Sequence, residues 1–155
     1  MFNKIKNTAI RNIVYAAIII VGGFALFNIA FLLAAIIANG INLLLHLRSD
    51  FQLPTIYSIL FFLLLLLVAS YFIFRSKLDD LIKATFLTMP LMSLMIAIGV
   101  LLYEQPEYMP ISIGAFIIAA LSGFFYIKKM PWMYYFAELY VAALALFIVL
   151  AGIDI

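Results

Sequence analysis

Cysteine is absent from the 155 residues, which removes disulfides, thiolate metal sites and a cysteine nucleophile together. Charge is scarce: Asp, Glu, Lys and Arg make up 10% of the chain, against about 25% in soluble domains. His46 is the single histidine. The chain has no glycine-rich phosphate loop, no paired-Asp lipid-phosphate signature, no His-Glu-x-x-His, and no serine with a histidine near it in span order. Phosphate-loop, zinc-hydrolase and serine-hydrolase chemistries therefore lack their residues. No metal, no cofactor and no nucleic-acid partner is expected.

What is present is apolar. Hydrophobic residues make up 69% of the chain and the mean hydropathy is +1.27, far outside the soluble average of about 45 to 50% apolar. The class this implies is a polytopic membrane protein. The longest loops that can be drawn are under about twenty residues, so residues 1–155 form one domain inside the bilayer, with membrane lipids as its surroundings.

The N-terminus carries Lys4, Lys6 and Arg11 ahead of an apolar run, like the first part of a signal peptide. The run from Ile13 to Leu45 is 33 residues, far beyond the roughly 7 to 15 of a signal sequence, and no cleavage pattern follows. It reads as a retained first span. It is too long for one bilayer core of about 30 Å, and too short for two spans of about 20 residues each. A break is expected at Asn39-Gly40, since both residues tolerate the left-handed helix cap. Gly40 to Leu47 then lies along the outer interface.

The remaining spans follow from the punctuation. Arg48 to Pro54 is a loop, and Thr55 caps a second span ending at Phe74. Ser76 and Asp79 form a Ser-x-x-Asp capping signal, which predicts a third helix from near Lys77 to Tyr103. Pro90 should kink it, with Thr85 and Ser93 helping to satisfy the freed backbone groups. A proline-bounded turn, Glu104 to Pro110, leads to the fourth span. The predicted spans are residues 13–38, 55–74, 82–103, 111–127 and 131–152. The fold class is all-α: five transmembrane helices in a bundle, with a short interfacial segment after the first.

Sorting the basic residues by side puts Lys4, Lys6, Arg11, Arg75, Lys77, Lys83, Lys128 and Lys129 on one face and Arg48 alone on the other, eight against one. The positive-inside rule then places the N-terminus in the cytoplasm and Asp154-Ile155 outside, in a cell or inner membrane. Tyr15, Tyr71, Tyr126, Tyr134, Tyr135 and Trp132 mark an inner aromatic belt, and Tyr57, Tyr103 and Tyr108 an outer one. Cysteines introduced at Asn3, Ser76 and Asp154 and labelled from each side check this: the first two should react from the cytoplasm and the last from outside. A cytoplasmic Asp154 would overturn the odd number of spans.

Small residues recur every fourth position in two places, Ala115-Ala119-Gly123 and Ala30-Ala34-Ala38. Such strips let backbones approach closely, which predicts that the first and fourth helices pack tightly. They also fit a homo-oligomer or a larger membrane complex.

Few residues carry chemistry. His46, with Arg48 and Asp50 nearby and Glu104 or Glu107 as distant partners, reads as an interfacial histidine. Asp79 and Asp80, flanked by Lys77 and Lys83, read as helix-start residues rather than a metal pair. Asn28, near the middle of the first span, shares a face with Asn39 and Asn42. Either the three line a pathway, or Asn28 joins two helices and the others end one.

Glu138 is the single charged residue deep inside a span, Lys83 standing at the edge of its own. It stands nine residues past Lys129, about 13 Å along a helix. An ionised carboxylate there costs at least roughly 2.5 to 3.5 kcal/mol on insertion scales, so it should face other helices or water, or carry a proton. Tyr134 and Tyr135 share its face and could donate to it, while Ala142 and Ala145 leave space beside it. Glu138, Tyr134, Tyr135 and Asn28 are thus the candidate ligand or proton site, with no catalytic residue assigned. The leading function is a small non-enzymatic membrane subunit that packs in an oligomer, or that binds or conducts a small or lipophilic molecule. One alternative is a proton- or cation-coupled transporter component using Glu138. Another is a membrane enzyme acting on lipid headgroups at the cytoplasmic face.

Overall fold

The computed structural model describes residues 2–46, 55–103, 105–106 and 108–151, with only the backbone described at 2–7, 38, 42, 44–46 and 55–58. The Arg48 to Pro54 loop, Asp50, Glu104, Glu107, Asp154 and Ile155 lie outside the described residues. So do the side chains of Lys4, Lys6, Asn42, His46, Thr55 and Tyr57. The elements are α1 (Phe2–His46), α2 (Thr55–Arg75), α3 (Asp80–Leu101), α4 (Tyr108–Ile127) and α5 (Trp132–Leu150). There is no strand among the described residues.

In hydrocarbon every backbone N–H and C=O must be bonded within its own segment, so long apolar runs become helices whatever their local propensities. α2 to α5 contain 19 to 22 residues, about 29 to 33 Å of helix, which matches the bilayer core. Thr8–Ile41, α3, α4 and α5 are long and apolar enough to cross a membrane, and Ile59–Arg75 of α2 is a shorter apolar stretch. The chain is an all-helical membrane bundle.

α1 differs from expectation. It continues without a break through Asn39-Gly40 to His46, 45 residues in all. Gly40 has no neighbour within 4 Å of where a side chain would begin. Nothing there turns the chain, and the cost of about 1 kcal/mol for a glycine inside a helix is smaller than that of unbonded backbone in an apolar setting. No interfacial segment separates from α1 within the described residues.

The start of α3 also moves. Ser76 does not cap it: its hydroxyl donates to the Ile73 carbonyl at 2.6 Å and its N–H bonds Phe72 and Ile73, so Ser76 finishes α2. Asp79 is the residue before α3, with an extended backbone and no side-chain capping bond. The Ser76 oxygen accepts only from the Leu78 N–H, at 3.4 Å and two residues on, a bond within the turn that falls short of the first N–H groups of α3. α3 then runs through Pro90 to Leu101. Thr85 donates to the Leu81 carbonyl at 2.8 Å, and the Ser93 hydroxyl is buried with no partner among the described residues. Neither serves the backbone freed by Pro90.

α3 is the central helix. Ten of its 22 residues are buried, whereas α4 buries only Phe125. The core gathers Ile19 of α1, Ala84, Leu87, Leu91 and Met92 of α3, Phe125 of α4, and Tyr134, Ala137 and Val141 of α5. Leu, Ile and Phe crowd the outer helices, as suits surfaces facing lipid, while the buried positions of α3 add Ala84, Thr85, Thr88, Ser93 and Ala97 to its buried leucines and methionines, small side chains that allow close approach. Gly22 and Gly23 of α1 lie against Thr85 and Thr88 of α3. This double-glycine contact joins α1 to the centre. The expected α1–α4 contact is not among the principal ones, which join α3 to α1, α2, α4 and α5, and α5 to α1 and α4. Ala115, Ala119 and Gly123 are exposed, and nothing lies within 4 Å of the Gly123 side-chain position.

α4 turns into α5 through Lys129, which has φ 52°. The Lys129 N–H bonds the Tyr126 carbonyl at 3.1 Å and the Met130 N–H bonds Phe125 at 2.9 Å. Those two bonds are the Schellman pattern that closes a helix, with a lysine in the left-handed position more often held by glycine.

Candidate functional site

Glu138 is fully buried, at 0% exposure. α5 presents it toward α4, where the Ser122 hydroxyl donates to its Oε2 at 3.0 Å. Its Oε1 is buried without a partner among the described residues. The two tyrosines expected beside it go elsewhere. Tyr134, itself 1% exposed, donates to Asp80 Oδ1 at 3.2 Å, and its ring lies 5.9 Å from Phe74 and 5.8 Å from Phe125. Tyr135 sets its ring edge-on to Phe125 at 5.8 Å. Long side chains on a helix lean over the turn before their own Cα, so Tyr134 reaches back to the start of α3 rather than forward to residue 138. The phenols form the packed layer on one side of Glu138 and are not its donors.

Asn28 is exposed and its amide donates to its own helix at the Phe24 carbonyl, 2.8 Å away. It bridges no two helices and does not share a site with Glu138. Asp80 is exposed and acts as the acceptor for Tyr134. Among the described residues no group of three or more His, Asp or Glu could hold a metal ion.

Above Glu138 the helices part. A cavity of about 590 Å³ lies among α1, α3, α4 and α5, within the range of about 300 to 1,000 Å³ typical of ligand sites. Phe24 and Phe27, Met92 and Met95, Pro110 and Ile111, Ala115 and Ala119, and Ala142 and Ala145 are among its walls, and no polar side chain lines it. The cavity exists because small residues on α4 and α5 face each other across it. The exposed strip Ala115-Ala119, expected to receive a helix, is one wall of this cleft, so a Leu at Ala119 should fill space rather than force helices apart.

Sequence reasoning did not single out Ser122, Gly22-Gly23, the Asp80–Tyr134 bond or the cleft. Ser122 had one available signal: it is a hydroxyl inside the apolar run of α4, where a polar side chain needs a partner. No protein family, no curated protein and no solved structure matches the chain.

Proposed function

We propose that this small integral membrane protein is non-enzymatic and holds a lipophilic molecule in the cleft between α1, α3, α4 and α5. The observation that carries the reading is the cavity of about 590 Å³ with wholly apolar side-chain walls. Polar walls would be needed to pass an ion or water, and the cleft walls stop one helical turn short of Glu138, which weighs against ion conduction. Headgroup chemistry at the cytoplasmic face would need carboxylates and lysines to converge. Asp80 instead binds Tyr134. Met92 and Met95 beside Phe24 and Phe27 make a wall that adapts to shape, which suits a flexible hydrocarbon. An oligomer, through the exposed faces of α4 and α2, is compatible with this role.

Filling the cleft tests it. Ala119→Leu together with Ala145→Phe should reduce the lipid or fatty-acid mass retained by the purified protein in native mass spectrometry by about tenfold, with the melting temperature in detergent unchanged. Equal retention by the filled variant would remove the reading, as would a native chain that retains nothing.

A further inference from the structure

The cleft has a closed end and an open one. Met92 and Val141, both buried members of the core, close it near mid-bundle, and α5 buries no residue beyond Val141. At the other end its walls are Gly99, Pro110 and Val149, within two residues of the end of α3, the start of α4 and the end of α5. The mouth therefore lies at one membrane face. From closed end to mouth the three helices rise about 10 to 13 Å, against about 15 Å for half of a hydrocarbon core of about 30 Å. The cleft is one leaflet deep. Ile111, Ala115 and Ala119 of α4 are walls and are also exposed, so along α4 the cleft opens sideways to that leaflet. Charge says which leaflet it is. Arg75, Lys77, Lys83, Lys128 and Lys129 lie in or within one turn of the α2–α3 and α4–α5 connections, and no Lys or Arg among the described residues stands at the mouth. By the positive-inside rule the mouth faces the outer leaflet.

We infer that the cleft takes one acyl chain of an outer-leaflet lipid with an uncharged or zwitterionic head, the chain end against Met92 and Val141 and the head at the mouth; this rests on the reading of the cleft as a lipophile site. Depth carries the class. A lipid chain in that leaflet already spans the depth of the cleft with its head at the surface, so it moves in past Ala115 and Ala119 without carrying a polar group through hydrocarbon. The apolar side-chain walls then hold it by burial alone. Tyr103 and Tyr108, which flank the mouth in the chain, are exposed, and such rings sit at headgroup level. An anionic head is held at a membrane surface by nearby Lys or Arg. Among the described residues the mouth offers none, whereas the opposite face has several.

The experiment holds the full chain in a non-ionic amphipol, free of detergent, and titrates it with lauroyl lysophosphatidylcholine, lauroyl lysophosphatidylglycerol and dodecane, reading the melting temperature. The choline lipid should bind about tenfold more tightly than the glycerol lipid, and Ala119→Leu with Ala145→Phe should abolish both. Direction is read by quenching with the choline lipid brominated at its chain end, in chains whose native fluorophore is removed by Trp132→Phe. Phe27→Trp puts a fluorophore beside the closed end, since Phe27 is a wall that packs on the core, and should be quenched; Val149→Trp, at the mouth, should not. Quenching of the mouth variant as strong as that of the other, or stronger, overturns the assignment. So does a glycerol lipid that binds as tightly as the choline lipid, or binding that the filled variant keeps. If the tryptophan variants do not fold, the titrations decide alone. Dodecane binding without either lysolipid sinks the lipid and leaves the lipophile cleft standing, while binding of none, including by a chain that a second copy covers, sinks both.

Discussion

Gly23→Ala lowers the melting temperature of the detergent-purified chain, and Gly23→Leu prevents α1 from docking on α3. A Cβ at Gly23 collides with Thr88 Oγ1 and meets Thr88 Cβ and Cγ2 at 3.1 Å. Thr88 cannot move aside easily, because it is fully buried and its hydroxyl donates to the Thr85 carbonyl at 2.7 Å. Overpacking of this kind costs typically about 1 to 3 kcal/mol for a small addition, and a leucine adds three more carbons to the same collision. Gly22 is the internal control. Its Cβ would meet only Thr85 Cγ2, at 3.1 Å, so Gly22→Ala should cost less. The double variant Gly23→Ala with Thr88→Ala should recover most of the loss, because two of the three colliding atoms are gone. Thermal melts of the four proteins form a cycle, and strictly additive losses would show that the two residues do not meet.

The second large effect belongs to Tyr134. Tyr134→Ala should destabilise the bundle by about 3 to 5 kcal/mol, the range for emptying a buried aromatic site. The side chain is 1% exposed, and it fills the space between Phe74 at the end of α2 and Phe125 on α4. Tyr134→Phe keeps the ring and removes only the bond to Asp80, so about 0.5 to 1.5 kcal/mol is expected. Equal losses for the two variants would mean that the hydroxyl, not the packing, holds α5 to α3. Asp80→Ala should track Tyr134→Phe, and a silent Asp80→Ala would remove the bond from the account.

The five helices were legible because hydrocarbon leaves an apolar run of span length only one way to satisfy its backbone. The faces were not. α2, with Leu63 to Leu67, is apolar all round, and so is most of α1, so composition does not say which side meets protein. Spacing of small residues carried two meanings that look alike in sequence. At Gly22 and Gly23 smallness admits another helix, and at Ala115 and Ala119 it leaves a void. What separates them lies on the partner: threonines of α3 reach into the first, and alanines of α5 face the second. The break expected at Asn39-Gly40 failed for a related reason, since a residue that permits a turn does not impose one. Glu138 was found as a buried carboxyl because charge within a span is rare, yet its partner lay 16 residues away in the chain on α4, beyond the reach of same-face spacing on α5.

The central position of α3 also bears on the order of synthesis. Its Thr85, Thr88 and Ser93 are all buried, and α5, which shares the core with it, follows it by about 50 residues of chain, which takes roughly 3 to 10 s at ordinary translation rates. α1 and α2 already exist when α3 leaves the ribosome, and Gly22 and Gly23 of α1 can cover its Thr85–Thr88 side first. Until α5 arrives, Asp80 has no Tyr134 hydroxyl to accept from, and the flank of α3 that shares the core with α5 stands without its partner.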